Sequence, residues 1–139
     1  MKIKIYAVDK LKKEYNKLGT LDYLERIKYY IPIEVYEVTE EKLKKLISKE
    51  HYNIVLDEKG KELTSTELSQ LIQKLLSSQN KDIAFFIGGS EGFSNEIKGK
   101  ADFTLSLSKL TFPHELVRVI LLEQIYRAFT IINNEKYHK

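Results

Sequence analysis

The stretch "IAFFIG", residues 83–88, decides the fold. Its run of apolar side chains leaves no polar face, so the segment reads as a strand covered by helices on both sides, the central strand of a parallel sheet. Working outward, further period-2 or continuous apolar runs occur at 2–8 ("KIKIYAV"), 33–38 ("IEVYEV"), 53–57 ("NIVLD") and 103–108 ("FTLSLS"). Helical patterns fill the intervals at 10–30, 40–49, 64–79, 94–99 and 113–132. Regular alternation of strand and helix predicts an α/β domain with a mostly parallel sheet flanked by helices. No repeat, low-complexity linker or second apolar unit interrupts residues 1–139, so a single domain is expected.

Composition narrows the function classes. Hydrophobic residues make up 42% and charged residues 31%, the balance of a globular chain. No run approaches the roughly 18 apolar residues of a membrane span, and "MKIKIYAVDK" alternates like a strand rather than a signal peptide. A cytoplasmic protein with no membrane partner is the expectation. There is no Cys, and His51, His114 and His138 lie far apart, so no zinc spacing exists and no metal is expected. The net charge of +3 argues only weakly for nucleic acid. Lys136, His138 and Lys139 gather around Tyr137 at the chain end, and composition alone reads that end as a solvated, frayed tail.

Two helix starts are legible. Thr64 and Glu67 have capping-box spacing, and Leu63 with Leu68 the spacing of a hydrophobic staple. Pro113 suits a first helical position. The last helix is apolar nearly all round, with Val117, Val119, Ile120, Leu121, Leu122, Ile125, Tyr126, Phe129, Ile131 and Ile132 covering most of the cylinder. Such a helix is buried on more than one side, which predicts the sheet on one side and a second subunit on another, hence a homodimer.

Ligands of open parallel sheets bind outside the carboxyl ends of the strands. Three loops leave such ends: "LDEKGK" (56–61), "IGGSEGFS" (87–94) and "SLSKLTFPH" (106–114). The second is Gly-rich but fits neither the dinucleotide fingerprint nor a P-loop, and it also reads as a plain structural turn. The third combines hydroxyls (Ser106, Ser108, Thr111) with apolar surface (Leu110, Phe112), a mixture suited to a nucleoside-like ligand. Equally, Ser108 or Thr111 could serve only to cap the following helix, with His114 a surface or capping histidine.

Three segments together, "IVLDEKGKELTS" (54–65), "FFIGGSEGF" (85–93) and "SLSKLTFPHELVRVILLEQIYRAFTIINNEKYHK" (106–139), resemble the SPOUT-class methyltransferase family known as RlmH, and "MKIKIYAV" and "DYLERI" (22–27) extend the resemblance along the chain. The resemblance implies an α/β sheet whose C-terminal part forms a trefoil knot, an exception to the rule against threading. It implies a homodimer acting on N3 of a pseudouridine in helix 69 of 23S rRNA, within the assembled 70S ribosome. The implied cofactor is S-adenosylmethionine, lined by Leu56, Gly88, Gly89, Ser108, Lys109, Leu110, Thr111, Phe112 and Pro113. Ser90 departs from the family pattern, which has Pro after the two Gly.

The resemblance places the terminal Tyr137, His138 and Lys139 beside the RNA substrate. The imide proton on N3 must leave before the nitrogen attacks, and His138 is the tail's only group that titrates near neutrality. The expectation is that His138 orients or deprotonates the base, that Arg118 and Lys139 hold phosphate or developing charge, and that Tyr137 stacks on a nucleobase. A mildly basic enzyme fits a substrate recognised by shape on a ribosome rather than free RNA. The alternatives are a non-enzymatic ribosome- or RNA-binding protein on the same fold, and a dinucleotide-dependent oxidoreductase, which the missing Gly fingerprint disfavours.

Overall fold

The computed structural model describes residues 1–78 and 80–139. Five strands, β1 (Ile3–Val8), β2 (Ile33–Val38), β3 (His51–Glu62), β4 (Asp82–Ile87) and β5 (Phe103–Ser106), form one sheet in the order β2-β1-β4-β3-β5. Every pairing is parallel. Strand β4 is the middle strand, as its apolar sequence requires. Ile83, Phe85 and Ile87 face one core, and Ala84 and Phe86 face the other. Phe85 and Phe86 are completely buried, each worth roughly 1.5–3 kcal/mol relative to exposure.

The first core lies under helices α1 (Glu14–Lys28), α3 (Ser65–Ser78) and α5 (His114–Ile132). The second lies under two short helices, α2 (Glu40–Leu46) and α4 (Asn95–Lys98), through Leu43, Ile47 and Ile97. Helix α5 packs against both α1 and α3. No residue of α5 is fully exposed even in the single chain, so its apolar circumference is covered in good part by its own neighbours. Three strongly exposed apolar side chains lie on α1 instead, where Tyr15, Leu18 and Leu21 are 67%, 59% and 61% exposed.

The capping box forms at α3. Thr64 Oγ1 accepts from the Glu67 N–H at 3.0 Å, and the Glu67 carboxylate accepts from the Thr64 N–H at 2.8 Å. The predicted end of this helix, residue 79, lies outside the described residues. Other boundaries move for identifiable reasons. Helix α1 begins at Glu14 rather than residue 10, because Asp9 adopts φ 72° and residues 10–13 are held as a loop. Helix α2 ends at Leu46, where Ile47 turns to ψ 109°. Pro113 has ψ 135°, which makes it the residue before α5 rather than its first helical residue.

Strand β3 differs most from its predicted span of 53–57. Leu56 and Lys61 both stand opposite Leu105 of β5, so Asp57–Gly60 leave the ladder as an excursion and the chain then rejoins it. Gly60 is needed there. A Cβ on it would lie 2.6 Å from the Thr104 carbonyl oxygen and 2.8 Å from its carbon. We expect Gly60→Ala to cost about 1–3 kcal/mol, as overpacking against backbone does, read as a lower denaturation midpoint. An unchanged midpoint would mean that the excursion lifts off β5 without penalty.

Candidate active site

The carboxyl ends of β3, β4 and β5 enclose a cleft of about 640 Å³, within the range of small-molecule sites. Its walls come from the three loops singled out in the sequence. The β3 excursion supplies Leu56, Asp57, Glu58 and Lys59, the Gly-rich turn supplies residues 87–93, and the segment before α5 supplies Leu107, Ser108, Leu110, Thr111, Phe112 and Pro113.

The Gly-rich turn is a tight reversal. Gly92 donates to the Gly89 carbonyl at 3.0 Å and carries φ 72°, a conformation natural to glycine. Ser90 is the second residue of this turn, the position where a proline ring would preset the backbone. Serine there leaves the turn more conformational freedom to lose, at a cost of several tenths to about 1 kcal/mol.

The segment from Ser108 to Phe112 makes little use of its main chain in internal bonds. Among the described residues none of its N–H or C=O groups bonds to another main-chain group. Leu110 N–H donates to Ser108 Oγ at 3.0 Å, and the Ser108 carbonyl accepts from Ser106 Oγ. Thr111 Oγ1 donates to the Glu58 carboxylate at 3.2 Å. Neither Ser108 nor Thr111 caps α5, which has no side-chain cap. The capping alternative raised by the sequence therefore does not hold, and the hydroxyls tie the loop to itself and to the β3 excursion.

Of the nine residues expected at a cofactor, Leu56, Gly88, Gly89, Ser108, Leu110, Thr111, Phe112 and Pro113 line the cleft. Lys109 does not; its side chain is solvent-exposed and pairs with Glu62 at 3.7 Å. The sequence reading passed over Asp57, Glu58, Glu91 and His114 as lining groups. All four sit in the three loops marked in the sequence, but nothing in the spacing shows which way a side chain there points. Asp57 is neutralised by Lys98 at 3.3 Å.

The other expected site residues lie elsewhere. Arg118 is 2% exposed and donates to the Glu37 carboxylate at 2.5 Å and to the Asp9 carbonyl at 2.9 Å. It is spent on internal bonds rather than offered to a phosphate. The tail is not frayed. Asn134 (φ 55°) reverses the chain after α5, with Glu135 N–H bonding the Thr130 carbonyl and Asn134 N–H the Ile131 carbonyl, a Schellman arrangement.

The reversed tail then runs back along α5. Tyr137 donates to Glu123 at 2.9 Å, packs edge-on against Tyr126 and lies under the Arg127 guanidinium. Burial and the Glu123 bond push its phenol well above the usual range. His138 Nδ1 lies 3.1 Å from Arg127 Nη1. A guanidinium only donates, so Nδ1 is the acceptor and the ring proton sits on Nε2. Lys139 is exposed beside it. Glu123 and Arg127 lie 6 and 10 residues beyond Val117, the last residue of α5 that lines the cleft, roughly 9–15 Å along the axis at 1.5 Å per residue. The tail and the cleft of one chain therefore do not meet.

The family model described as Predicted SPOUT methyltransferase matches residues 1–138. The chain belongs to this family. Among its relatives, the Ribosomal RNA large subunit methyltransferase H of Coprothermobacter proteolyticus is 52% identical over 139 residues, covering 100% of both chains. That of Geobacter metallireducens is 43% identical, covering 99% of each. These relatives bear the RlmH name that the sequence resemblance had indicated. Of solved structures, a methylase family protein of Haemophilus influenzae superposes with TM-score 0.56 at 14% identity, over 97% of this chain and 67% of the other. The Legionella pneumophila protein Lpg2936, solved with bound SAM, gives 0.56 at 16% identity over 92% and 66%. At that identity they testify to the SPOUT fold alone. No helix among the described residues is long and apolar enough to cross a membrane.

Proposed function

We propose that this SPOUT chain is an S-adenosylmethionine-dependent methyltransferase of 23S rRNA that modifies N3 of a pseudouridine in helix 69 on the assembled ribosome. The observation that carries the reading is the cleft itself, set at three loops that resemble the RlmH family and lined by groups that suit this cofactor. Leu56, Leu107, Leu110, Phe112 and Pro113 form apolar walls for a flat base. The main chain of 108–112, bonded within the chain at Leu110 N–H and the Ser108 carbonyl, offers its remaining donors and acceptors to the edge of that base. Glu58 and Glu91 supply negative charge for a cationic sulfonium and ammonium. Gly88 and Gly89 make room for the turn itself, since a Cβ on them would lie 3.1 Å from Gly92 and 2.9 Å from Asp9 respectively.

When bound, the cofactor supplies a methyl group on a positively charged sulfur, ready for in-line displacement. The protein's part is to position the acceptor and remove its proton. His138 would take the N3 imide proton, which leaves the nitrogen's electron pair free to accept the methyl group that the bound cofactor would supply. Tyr137 and Lys139 hold the nucleobase and an adjacent phosphate.

Because the tail lies away from the cleft of its own chain, a homodimer in which each tail serves the partner's cleft completes the site. The exposed Tyr15, Leu18 and Leu21 on α1, beside α5, give a dimer its apolar contact. To serve, the tail must release the Arg127 bond at His138 Nδ1. A knotted C-terminal part belongs to the same reading.

The test is transfer of labelled methyl from S-adenosylmethionine to 70S ribosomes from cells lacking the gene, beside free subunits and naked RNA. Label at a pseudouridine of large-subunit RNA in intact ribosomes is expected. Absence of label with S-adenosylhomocysteine still bound would favour the non-enzymatic binding protein. Absence of both would sink the reading.

A further inference from the structure

The loop between β1 and α1 breaks a local rule. The N-terminus of a helix carries partial positive charge and favours Asp, Ser, Thr or Asn before it. Here Lys13 holds the position before α1, makes no side-chain cap, and is preceded by Lys10 and Lys12 and followed by Lys17. All four lysines are exposed, and among the described residues none of them pairs with a carboxylate. The only acids in the same stretch are Asp9 and Glu14.

The loop is nevertheless held in place, and from beneath. Leu11 N–H donates to Glu37 at 3.0 Å, while Lys12 and Lys13 N–H both donate to Glu115 Oε1, at 2.8 and 3.1 Å. The buried Arg118 ties Glu37 to the Asp9 carbonyl. Main-chain amides thus turn inward to carboxylates, and the lysine side chains reach solvent. The loop also borders the cleft. Asp9 Oδ2 lies 2.9 Å from where a Cβ on Gly89 would be, and Glu115 follows His114, both Gly89 and His114 being cleft residues.

We infer that Lys10, Lys12, Lys13 and Lys17 form a phosphate-binding edge that docks the RNA backbone beside the cleft. The inference rests on the RNA methyltransferase reading and deepens it. It assigns to the β1–α1 loop the phosphate contact that the sequence had given to Arg118, and leaves Arg118 as the residue that positions the loop. Lysines at a helix N-terminus repel one another and the helix dipole in the free protein. A polyanion laid across them relieves both.

The test is the triple variant K10A/K12A/K13A, whose main-chain anchors are untouched, against K42A/K45A/K49A, which removes the same charge from exposed positions on α2 and in the turn after it, on the opposite face of the sheet. With 70S ribosomes as substrate, the loop variant should raise KM about 10–100-fold and flatten the salt dependence of log KM by about 2–3 units, roughly one per lost phosphate contact. Its kcat and its affinity for S-adenosylhomocysteine should stay within about twofold of the unaltered protein, and the α2 control should keep the unaltered KM. A KM within twofold, or an equal rise in the control, overturns the inference. So does dissociation of a dimer by the loop variant in sedimentation, which would make the loop a subunit contact. If the unaltered chain transfers no methyl at all, the reading beneath has failed; an active chain with an indifferent loop variant fails only the inference.

Discussion

Replacing His138 by Ala should lower methyl transfer to ribosomes about 100-fold or more, the usual contribution of a positioned proton acceptor, while S-adenosylhomocysteine binds as before. The second half follows from geometry, since the tail's partners lie roughly 9–15 Å along α5 from the last cleft residue of their own chain. The same separation makes a sharper experiment possible. A chain with His138→Ala has an intact cleft and a disabled tail. A chain with Thr111→Trp, a substitution that fills the cleft, has the opposite defect. If each tail serves its partner, the mixed dimer contains one complete site, and random exchange of subunits should restore about a quarter of the activity, because half of the dimers are mixed and each holds one of two sites. If each tail folds back to its own cleft, no mixture regains activity. A normal rate for His138→Ala alone would remove the residue from proton transfer. The intermediate case is informative too: Arg127→Lys should leave His138 Nδ1 less firmly engaged, so a rise in rate would show that release of the Arg127 bond limits turnover.

What was readable beforehand follows the physics of each element. Strand β4 was legible because a middle strand must be apolar on both faces, and the start of α3 because a capping box is a purely local arrangement. The cleft loops were legible as places, since a parallel sheet puts its ligands at strand ends. The directions of side chains in those loops were not. Arg118 shows why: in sequence it is a cation near the start of a helix that is apolar nearly all round, and only the return of β2 brings Glu37 beside it. The excursion in β3 was hidden for a similar reason. Residues 57–60 look like a loop, and nothing local shows that Lys61 and Glu62 rejoin β5. The tail was misjudged on composition, because a single Asn134 in the left-handed region suffices to turn "NNEKYHK" back onto its helix.

Arg118→Met should destabilise the protein by roughly 3 kcal/mol, at the lower end of what removing one member of a buried ion pair costs, because the Glu37 side chain stays about a third exposed and water recovers part of the loss. For a domain of this size the midpoint of thermal unfolding should fall by about 10 °C. The pH dependence separates charge from packing. Burial pushes the Glu37 carboxyl up, but the bonds from Arg118 and from Leu11 N–H outweigh it, and the group ends below its ordinary value of 4.5. A carboxylate lowered in the folded state contributes stability that is complete above its unfolded value and drains away as pH falls through its folded one. The gap between the unaltered protein and Arg118→Met should therefore be widest near neutrality and narrow below about pH 4.5. A gap that stays constant down to acid would mean that Arg118 acts through packing, which Met largely preserves. The charge account also fixes the sign of a double variant. Adding Glu37→Gln to Arg118→Met removes the stranded carboxylate, so the pair should be more stable than Arg118→Met alone, with a coupling energy above about 1 kcal/mol. Additive losses would leave the Arg118–Glu37 contact without energetic weight, and the anchoring of the lysine loop would then rest on the separate bonds of its main chain to Glu37, Glu115 and Arg118.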